Sequence, residues 1–217
     1  MENRFKDRYD AGRRLAEALK PFSDREGVIV LGLPRGGVPV AYEVARALGA
    51  VLDILIVRKL GVPSQPELAM GAIASGGALY INEEIVSLAG VSPRDIKIAL
   101  DKERRELVRR EALYRGLHPS IQIEGHTVIL VDDGIATGAT MHAAIMALRS
   151  SKPARIVVAV PVCPADAAAR FKALADDFVS VLTPQPFGAV GQFYAWFDQT
   201  SDDEVRQLLK ERREATS

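Results

Sequence analysis

The stretch that decides the fold is TVILVDDGIATGATMHAAIMAL, residues 127–148. It opens with an apolar, β-branched run from Val128 to Val131, which fits a strand buried on both faces of a parallel sheet. Asp132 and Asp133 follow at once, and a loop of small residues leads to a helical pattern that begins at Met141. The stretch therefore predicts a strand, an acid pair, a tight loop and a helix.

The loop from Gly134 to Thr140 has the properties of a phosphate site. Unpaired backbone N–H groups at a helix start, together with the helix dipole, favour an anion. Gly134 and Gly138 let the backbone approach a ligand closely, and Thr137 and Thr140 add hydroxyl donors. The acid pair suits sugar hydroxyls, or a cation held through water. Phosphate, ribose and metal would therefore fit one surface.

Two better-known phosphate loops are excluded at this position. No lysine follows Gly138, as a P-loop requires, and the loop lacks the GxGxxG pattern of dinucleotide sites. The remaining alternative is an ordinary turn between strand and helix with a capping threonine. Such a turn needs fewer acids, glycines and threonines than this loop contains, so we favour the phosphate site.

The rest of the chain alternates between strand and helix patterns. The final helix begins at Ser201, and a short hairpin is expected near residues 71–74 and 78–81. Apolar runs predict further strands over 28–31, 52–57, 155–160 and 178–182, and helical spacing predicts helices over 9–20, 39–48, 93–114 and 165–175. The alternation predicts a doubly wound, mainly parallel α/β sheet that binds its ligand at the carboxyl ends of the strands.

Length and composition set the broad class. The 217 residues fit one ordinary domain, 1–217, and 28 Lys and Arg residues balance 28 Asp and Glu residues, so net charge does not argue for nucleic acid or membrane. One cysteine excludes an intramolecular disulfide framework and fits a reducing cytosol. The charged first twenty residues are unlike a signal peptide, and no apolar run approaches transmembrane length. We expect a cytoplasmic protein with no nucleic acid or membrane partner.

At the central stretch the chain resembles the type I phosphoribosyltransferases. Their signature is a hydrophobic strand, two acidic residues and a small loop ending in TGxT or similar, and here it reads VILVDDGIATGAT. The resemblance covers roughly residues 28–182 and implies a flexible loop or hairpin and a variable hood, built from the terminal segments. It also implies that Asp132 and Asp133 meet the ribose 2- and 3-hydroxyls. The residues implied to hold the 5-phosphate of phosphoribosyl pyrophosphate (PRPP) are Ala136, Thr137, Gly138, Ala139 and Thr140.

Three cationic residues, in two segments of the chain, gain a function from this resemblance. The run GLPRGGVPVA, residues 32–41, contains Arg35, Gly36 and Gly37 after a strand, which on spacing alone is equally a plain turn with an exposed arginine. Family members carry a loop here that receives pyrophosphate. Arg58 and Lys59 close the predicted strand 52–57, where adjacent cations need solvent or an anion. All three cations would then stabilise charge on the departing pyrophosphate.

Three other segments each have a structural and a functional interpretation. Residues 60–77 are rich in proline and glycine and predict a mobile loop that would close over the site. The helix over 93–114 is basic but has interleaved acids, which indicates a solvated face rather than a nucleic acid site. The tail 184–199 holds five aromatic residues, most of which we expect in the core. The candidates to stack on a flat base are Phe193, Tyr194 and Trp196.

The implied reaction is substitution at ribose C1, in which a base nitrogen attacks as pyrophosphate leaves. Mg²⁺ would bridge pyrophosphate and ribose oxygens near Asp132 and Asp133, keeping several waters and needing few protein ligands. The hypoxanthine–guanine branch typically carries an acid just before TG, where this chain has Ala136, so the resemblance implies an acceptor other than a 6-oxopurine. A PRPP-binding regulator or sensor without catalysis stays open, and we expect a homodimer.

Overall fold

The fold is taken from a computed structural model, which describes residues 4–23, 26–116 and 118–216. Its helices and strands follow one another as α1 (Arg8–Ala18), β1 (Val28–Gly32), α2 (Gly37–Ala47), β2 (Val51–Ile54), β3 (Val57–Val62), β4 (Gln65–Ala74), β5 (Leu79–Ile81), α3 (Glu83–Leu88), α4 (Pro93–Arg115), β6 (Thr127–Val131), α5 (Ala139–Ser150), β7 (Arg155–Val162), α6 (Ala165–Leu174), β8 (Asp177–Leu182) and α7 (Asp202–Thr216). Within these residues, no helix has both the length and the apolar character needed to cross a membrane.

A parallel five-stranded sheet in the order β2-β1-β6-β7-β8 carries the fold. The central strand β6 pairs with β1 on one side and with β7 on the other, and Val131 lies opposite Gly32 and Ala159. The carboxyl ends of these three strands therefore meet at one edge, where open α/β sheets bind their ligands. The predicted α/β sheet is confirmed.

The two faces of the sheet are covered by different helices. Alternate residues of a strand point to opposite faces, and in β6 Ile129 and Val131 pack on the side of α1, α2 and α7. Val128 and Leu130 pack on the side of α5 and α6. All four side chains are fully buried, and each such burial stabilises the fold by about 1.5–3 kcal/mol. The apolar run was therefore a correct signal for a strand buried on both faces.

The predicted strand over 52–57 is wrong at its end. The chain leaves the parallel sheet after Ile54, and Val57 begins β3, which belongs to a separate antiparallel sheet in the order β3-β4-β5. Leu55 and Ile56 between the two strands are buried, so the apolar run continues across the break. Periodicity alone could not show the break, because an unbroken apolar run from Ile54 to Val57 reads as a single strand.

The hairpin predicted near 71–74 and 78–81 is present as the pairing of β4 with β5, but most of the segment predicted as a loop before it is strand. β4 begins at Gln65 and pairs with β3, with register shifts around Gly61. A Cβ on Gly61 would lie 2.4 Å from the carbonyl oxygen of Pro66, and one on Gly71 would lie 2.3 Å from that of Tyr80. These glycines therefore allow strands to approach closely. Movement of the hairpin on ligand binding stays a prediction.

Residues from both ends of the chain form one unit, which we call the terminal cluster (residues 4–8 and 187–198). The N–H of Phe5 donates to the carbonyl of Phe193 at 2.7 Å, and the N–H of Ala195 donates back to the carbonyl of Phe5 at 2.8 Å. The rings of Phe5 and Tyr194 pack with centroids 5.3 Å apart. The sequence predicted most of the five tail aromatics in the core, and this prediction is wrong. Tyr194 is buried, Phe187 and Phe193 are half-buried, and Trp196 and Phe197 are exposed.

Candidate active site

The loop between β6 and α5 encloses a cavity of about 140 Å³, lined by Asp132 and residues 134–141, which we call the loop cavity. Gly138 adopts a left-handed φ of 76°, and a Cβ there would lie 2.6 Å from the ring of Phe171. Only glycine fits this turn. α5 starts at Ala139, so the loop ends at a helix N-terminus with free amides. The five residues implied to hold phosphate all line this cavity: Ala136, Thr137, Gly138, Ala139 and Thr140.

A cation borders the loop that the sequence did not single out. The exposed Arg170 of α6 donates from Nη2 to the carbonyl oxygen of Thr137 at 2.6 Å. This bond brings positive charge to the rim of the loop cavity, in addition to the dipole of α5. Arg170 lies 33 residues from Thr137 in sequence, so no local pattern pointed to it.

The two glycines after β1 pack directly against the acid pair. A Cβ on Gly36 would lie 2.1 Å from Oδ2 of Asp133, and one on Gly37 would lie 2.9 Å from Cα of Asp132. The peptide bond between Pro34 and Arg35 is cis. The glycines thus let the loop after β1 approach the end of β6, which explains the pair without any ligand. Their contact with PRPP stays a prediction.

Asp133 is held by the terminal cluster. Its Oδ2 accepts from Nε of Arg8 at 2.9 Å and lies 2.8 Å from Nη2, with only 11% and 16% of the two side chains exposed. Nη1 of Arg8 donates to the carbonyl of Asp198 at 2.6 Å. The hydroxyl of Tyr194 donates to the backbone carbonyl of Asp133 at 2.6 Å. Asp133 therefore fastens the two terminal segments to the end of β6, and Arg8 is a site residue that the sequence did not reveal.

Asp132 lacks such a partner. Its Oδ1 accepts from the N–H of Asp133 at 2.9 Å, and across the described ranges no cation pairs with it. Burial raises the pKa of Asp132 well above its usual range, and the charge of Asp133 raises it further. Burial also raises the pKa of Asp133, but the charge and hydrogen bond of Arg8 act in the opposite direction. Asp132 is thus the acid that a hydroxyl or a cation would stabilise most.

A second cavity of about 320 Å³ lies beside the first, and we call it the arginine cavity. Its walls come from residues 33–35, residues 55–57, the last turns of α4 and the start of α7. Three arginines line it, Arg35, Arg109 and Arg110, and Thr140 lines both cavities. The sequence placed Arg35 in the loop that follows a strand, and in the structure it follows β1 in this way. Arg109 and Arg110 lie on the helix face that the sequence predicted to be solvated, with 63% and 43% of their side chains exposed, and they also line this cavity.

Arg58 and Lys59 line neither cavity. Arg58 binds Oε2 of Glu103 on α4 through Nε at 2.7 Å and Nη2 at 2.6 Å. Lys59 is exposed and borders a different cavity beside Pro63 and Pro66. Val57, which precedes Arg58 in β3, does line the arginine cavity, but neither cation does. A catalytic role for this pair stays a prediction that the geometry does not favour.

The three aromatic candidates for a base site differ in exposure. Tyr194 is only 1% exposed, and its ring packs between Phe5 and Phe197, so it acts as a packing residue here. Burial and the charge of Asp133 raise its pKa. Phe193 is half-buried against Phe187. Trp196 is 59% exposed, and Nζ of Lys6 lies over its ring, 5.7 Å from the centroid.

Comparison with known proteins agrees with the geometry. Residues 4–204 match the family model described as the phosphoribosyl transferase domain. The chain is 49% identical, over 205 residues and 94% of its length, to Mycobacterium tuberculosis proteins of strains CDC 1551 and H37Rv that carry provisional phosphoribosyl transferase names. It spans only 46% of the length of those relatives.

Two further matches support the assignment. The chain is 30% identical over 123 residues to the bifunctional protein PyrR of Clostridioides difficile. The aligned region covers 54% of this chain and 68% of that protein. The crystal structure of TT1426 from Thermus thermophilus is 44% identical, with a TM-score of 0.87 over 96% of this chain and 98% of that one. The strand, the acid pair and the loop of small residues thus occur in a chain that belongs to the type I phosphoribosyltransferase family.

Proposed function

We propose that this protein transfers the 5-phosphoribosyl group of PRPP to a nitrogen acceptor and releases pyrophosphate. The observation that carries the proposal is that Thr140 lines both cavities, with Asp132 in the wall of one and three arginines in the wall of the other. PRPP has a phosphate at one end, a diphosphate at the other and a sugar between them. One such molecule would fill both cavities at once.

In this arrangement the loop cavity takes the 5-phosphate. The amides at the start of α5 and the hydroxyls of Thr137 and Thr140 are its donors, and the helix dipole favours the anion. Asp132 accepts hydrogen bonds from the ribose hydroxyls. Asp133 could take a second hydroxyl only after Arg8 releases its Oδ2, so we assign the sugar contact to Asp132.

The residues present also fit a bound Mg²⁺. Within the described part of the chain, no group of three or more His, Cys, Asp or Glu residues is arranged to hold a metal. One half-buried carboxylate, Asp132, stands beside the proposed positions of the sugar and diphosphate, and Mg²⁺ commonly needs only one or two carboxylates besides phosphates and water. When bound, the metal would supply positive charge that stabilises the departing pyrophosphate.

The reaction follows from this placement. The acceptor nitrogen donates its lone pair to ribose C1 while the bond from C1 to the pyrophosphate oxygen breaks. That electron pair leaves with pyrophosphate, and a proton leaves the acceptor nitrogen. The transition state carries positive charge on the sugar, which the carboxylate of Asp132 offsets, and negative charge on the leaving group, which the arginines offset.

The acceptor is most specifically constrained by Ala136. An alanine cannot take or share a proton, and a general base is worth about 10²–10⁴-fold in rate. We therefore propose that the acceptor is not a 6-oxopurine, and that adenine, a pyrimidine or another nitrogen acceptor is used. Trp196 in the terminal cluster supplies the exposed ring on which a flat acceptor would stack.

A second function is favoured by one observation. Arg58 is occupied by Glu103, and Lys59 lines a third cavity rather than either of these two. If those two cations were essential for catalysis, the chain would bind PRPP without turning it over and would act as a sensor. Measurements of PRPP binding and pyrophosphate release distinguish the two functions.

The test combines binding with turnover. PRPP with Mg²⁺ should raise the melting temperature. At a hundredfold excess over Kd, ligand binding adds about 2.7 kcal/mol to the free energy of unfolding. Ribose 5-phosphate, the matched control for the sugar end, should give a smaller shift. Pyrophosphate release with a panel of nucleobases then identifies the acceptor. A shift without release from any base would support the sensor, and no shift at millimolar PRPP would refute both functions.

A further inference from the structure

Two of the three arginines that line the arginine cavity, Arg109 and Arg110, belong to α4. Arg109 and Arg110 lie in the stretch of α4 whose buried side chains are Glu103, Leu107 and Tyr114. Residues 103, 107, 110 and 114 follow one another at helical spacing and share one face. Arg110 thus lies on the same side of α4 as Leu107 and Tyr114, with 43% of its side chain exposed at the cavity.

The guanidinium groups of this cavity have donors to spare. Nε of Arg110 donates to Oε1 of Glu106 at 2.7 Å, and no other side-chain hydrogen bond of Arg110 occurs among residues 4–23, 26–116 and 118–216. The nearest acid to Arg35 is Asp202, with Nη1 3.9 Å from Oδ1. Arginine presents several donors in a planar fork that matches phosphate oxygens. Two separate parts of the chain, the loop after β1 and α4, therefore bring guanidinium groups to the cavity lining.

Glu106 holds the two α4 arginines side by side. Arg109 donates to both of its oxygens, at 2.8 and 2.9 Å, and Arg110 donates to Oε1. Hydrogen bonds from Arg109 and then Arg110 lower the pKa of Glu106 to about 2, so it stays ionised. One carboxylate cannot neutralise two guanidinium groups, and the pair keeps a net positive charge. Glu106 therefore acts as a positioning residue for two cations at the cavity wall.

A solvated helix face is the alternative for these residues. Arg104 and Arg105 on the same helix fit that description, because both are exposed and neither lines a cavity. Arg109 and Arg110 differ from them in lining a cavity that also holds Arg35 and borders Thr140. The cavity lining thus combines three arginines with one carboxylate, Asp202, and this excess of positive charge suits an anionic ligand.

We infer that Arg109 and Arg110 hold the diphosphate group, both in PRPP and as the pyrophosphate product, in place of Arg58 and Lys59. This inference rests on the proposed function and names the residues that stabilise its leaving group. Negative charge grows on the pyrophosphate oxygens as the bond to ribose C1 breaks. Cations already fixed beside them stabilise that charge without reorganising.

The test uses three double variants of the full chain. Arg109→Gln with Arg110→Gln removes the proposed contacts, Arg58→Gln with Lys59→Gln removes the pair implied by the sequence, and Arg104→Gln with Arg105→Gln is the matched control on α4. Isothermal titration measures Kd for inorganic pyrophosphate with Mg²⁺, and melting temperatures confirm folding. Loss of two charge-assisted contacts should weaken pyrophosphate binding roughly 10- to 100-fold in the first variant only.

Steady-state kinetics separate this inference from the proposed function. In the first variant, KM for PRPP should rise and kcat should fall, while KM for the acceptor stays unchanged. Unaltered pyrophosphate binding and turnover in that variant would overturn the inference and leave the proposed function standing. The parent protein could bind pyrophosphate through these arginines and still transfer no phosphoribosyl group. That result would support the pyrophosphate site and refute the proposed transferase function. A loss confined to the Arg58 and Lys59 variant would also overturn the inference.

Discussion

The loop after β6 and the terminal cluster meet at the acid pair but are assembled in different ways. The loop cavity is lined entirely by residues between 132 and 141. The terminal cluster joins residues 190 positions apart, as in the hydrogen bonds from Arg4 to Tyr194 and from Arg8 to Asp198. Adjacent acids consequently serve two purposes, since Asp132 lines the cavity and Asp133 anchors the cluster. Neighbours in sequence need not share a role.

The largest effect should come from Asp132→Asn, which changes only the loop side. We expect turnover to fall about 10²–10³-fold, because a preorganised group that stabilises transition-state charge is lost. The melting temperature of the ligand-free protein should hold or rise, since a buried carboxylate with no cationic partner is neutralised. Pyrophosphate release and thermal unfolding check both. A variant that loses stability instead would place Asp132 in the structural framework.

The next effect should come from Arg8→Met, which breaks the link between the two regions. It leaves Asp133 buried without its partner, which costs about 3 kcal/mol of unfolding free energy. For a chain of this size the melting temperature should fall by roughly 6–12 °C. Lys20→Met is the control, because its ion pair with Glu17 is exposed on both sides and should contribute under about 1 kcal/mol.

A double change refines this prediction. Arg8→Met combined with Asp133→Asn removes both charges and should recover part of the lost stability, since the unpaired buried carboxylate is gone. Strict additivity of the two single changes would show that Arg8 and Asp133 do not interact energetically. In that case the terminal cluster would be held by its aromatic packing alone.

The pH dependence of stability should report on the ionisation of Asp132. Burial raises the pKa of Asp132 in the folded protein, so the folded state binds its proton more tightly than the unfolded state does. The cost of ionising it is absent below the unfolded pKa and fully present above the folded one. The stability gained in Asp132→Asn should therefore increase as pH rises from 4 to 7, as denaturant unfolding at each pH would measure. A gain that does not change with pH would contradict the raised pKa.

The smallest effect should come from Trp196→Ala, which changes only the cluster side. An exposed ring contributes little to folding, so stability should change by about 0.5 kcal/mol or less. If the ring stacks on the acceptor, KM for the acceptor should rise about 2- to 10-fold, with KM for PRPP unchanged. Leu88→Ala, at another exposed apolar position, is the control. Equal KM values for the acceptor in parent and variant would remove Trp196 from the site.

Sequence was informative wherever local chemistry decides structure. The strand, the acids and the glycine turn of the loop lie within fifteen residues, and each has its own physical signature. The break after Ile54 had none, because buried residues continue across it. Arg8 was invisible for another reason, since its partner is 125 residues away. Arg110 did leave a signal, a cation at core spacing between Leu107 and Tyr114, which the interleaved acids obscured.

One consequence of α4 concerns the phase of the helix. Glu103, which holds Arg58 of the hairpin, and Arg110, which lines the arginine cavity, are seven residues apart, or about two turns. Inserting or deleting one residue between them would rotate everything beyond that point by about 100°. Arg109 and Arg110 would leave the cavity while Glu103 kept its hold on the hairpin. The length of this segment is therefore constrained more tightly than its composition, and a single-residue insertion there would disconnect the hairpin from the cavity without removing any of their residues.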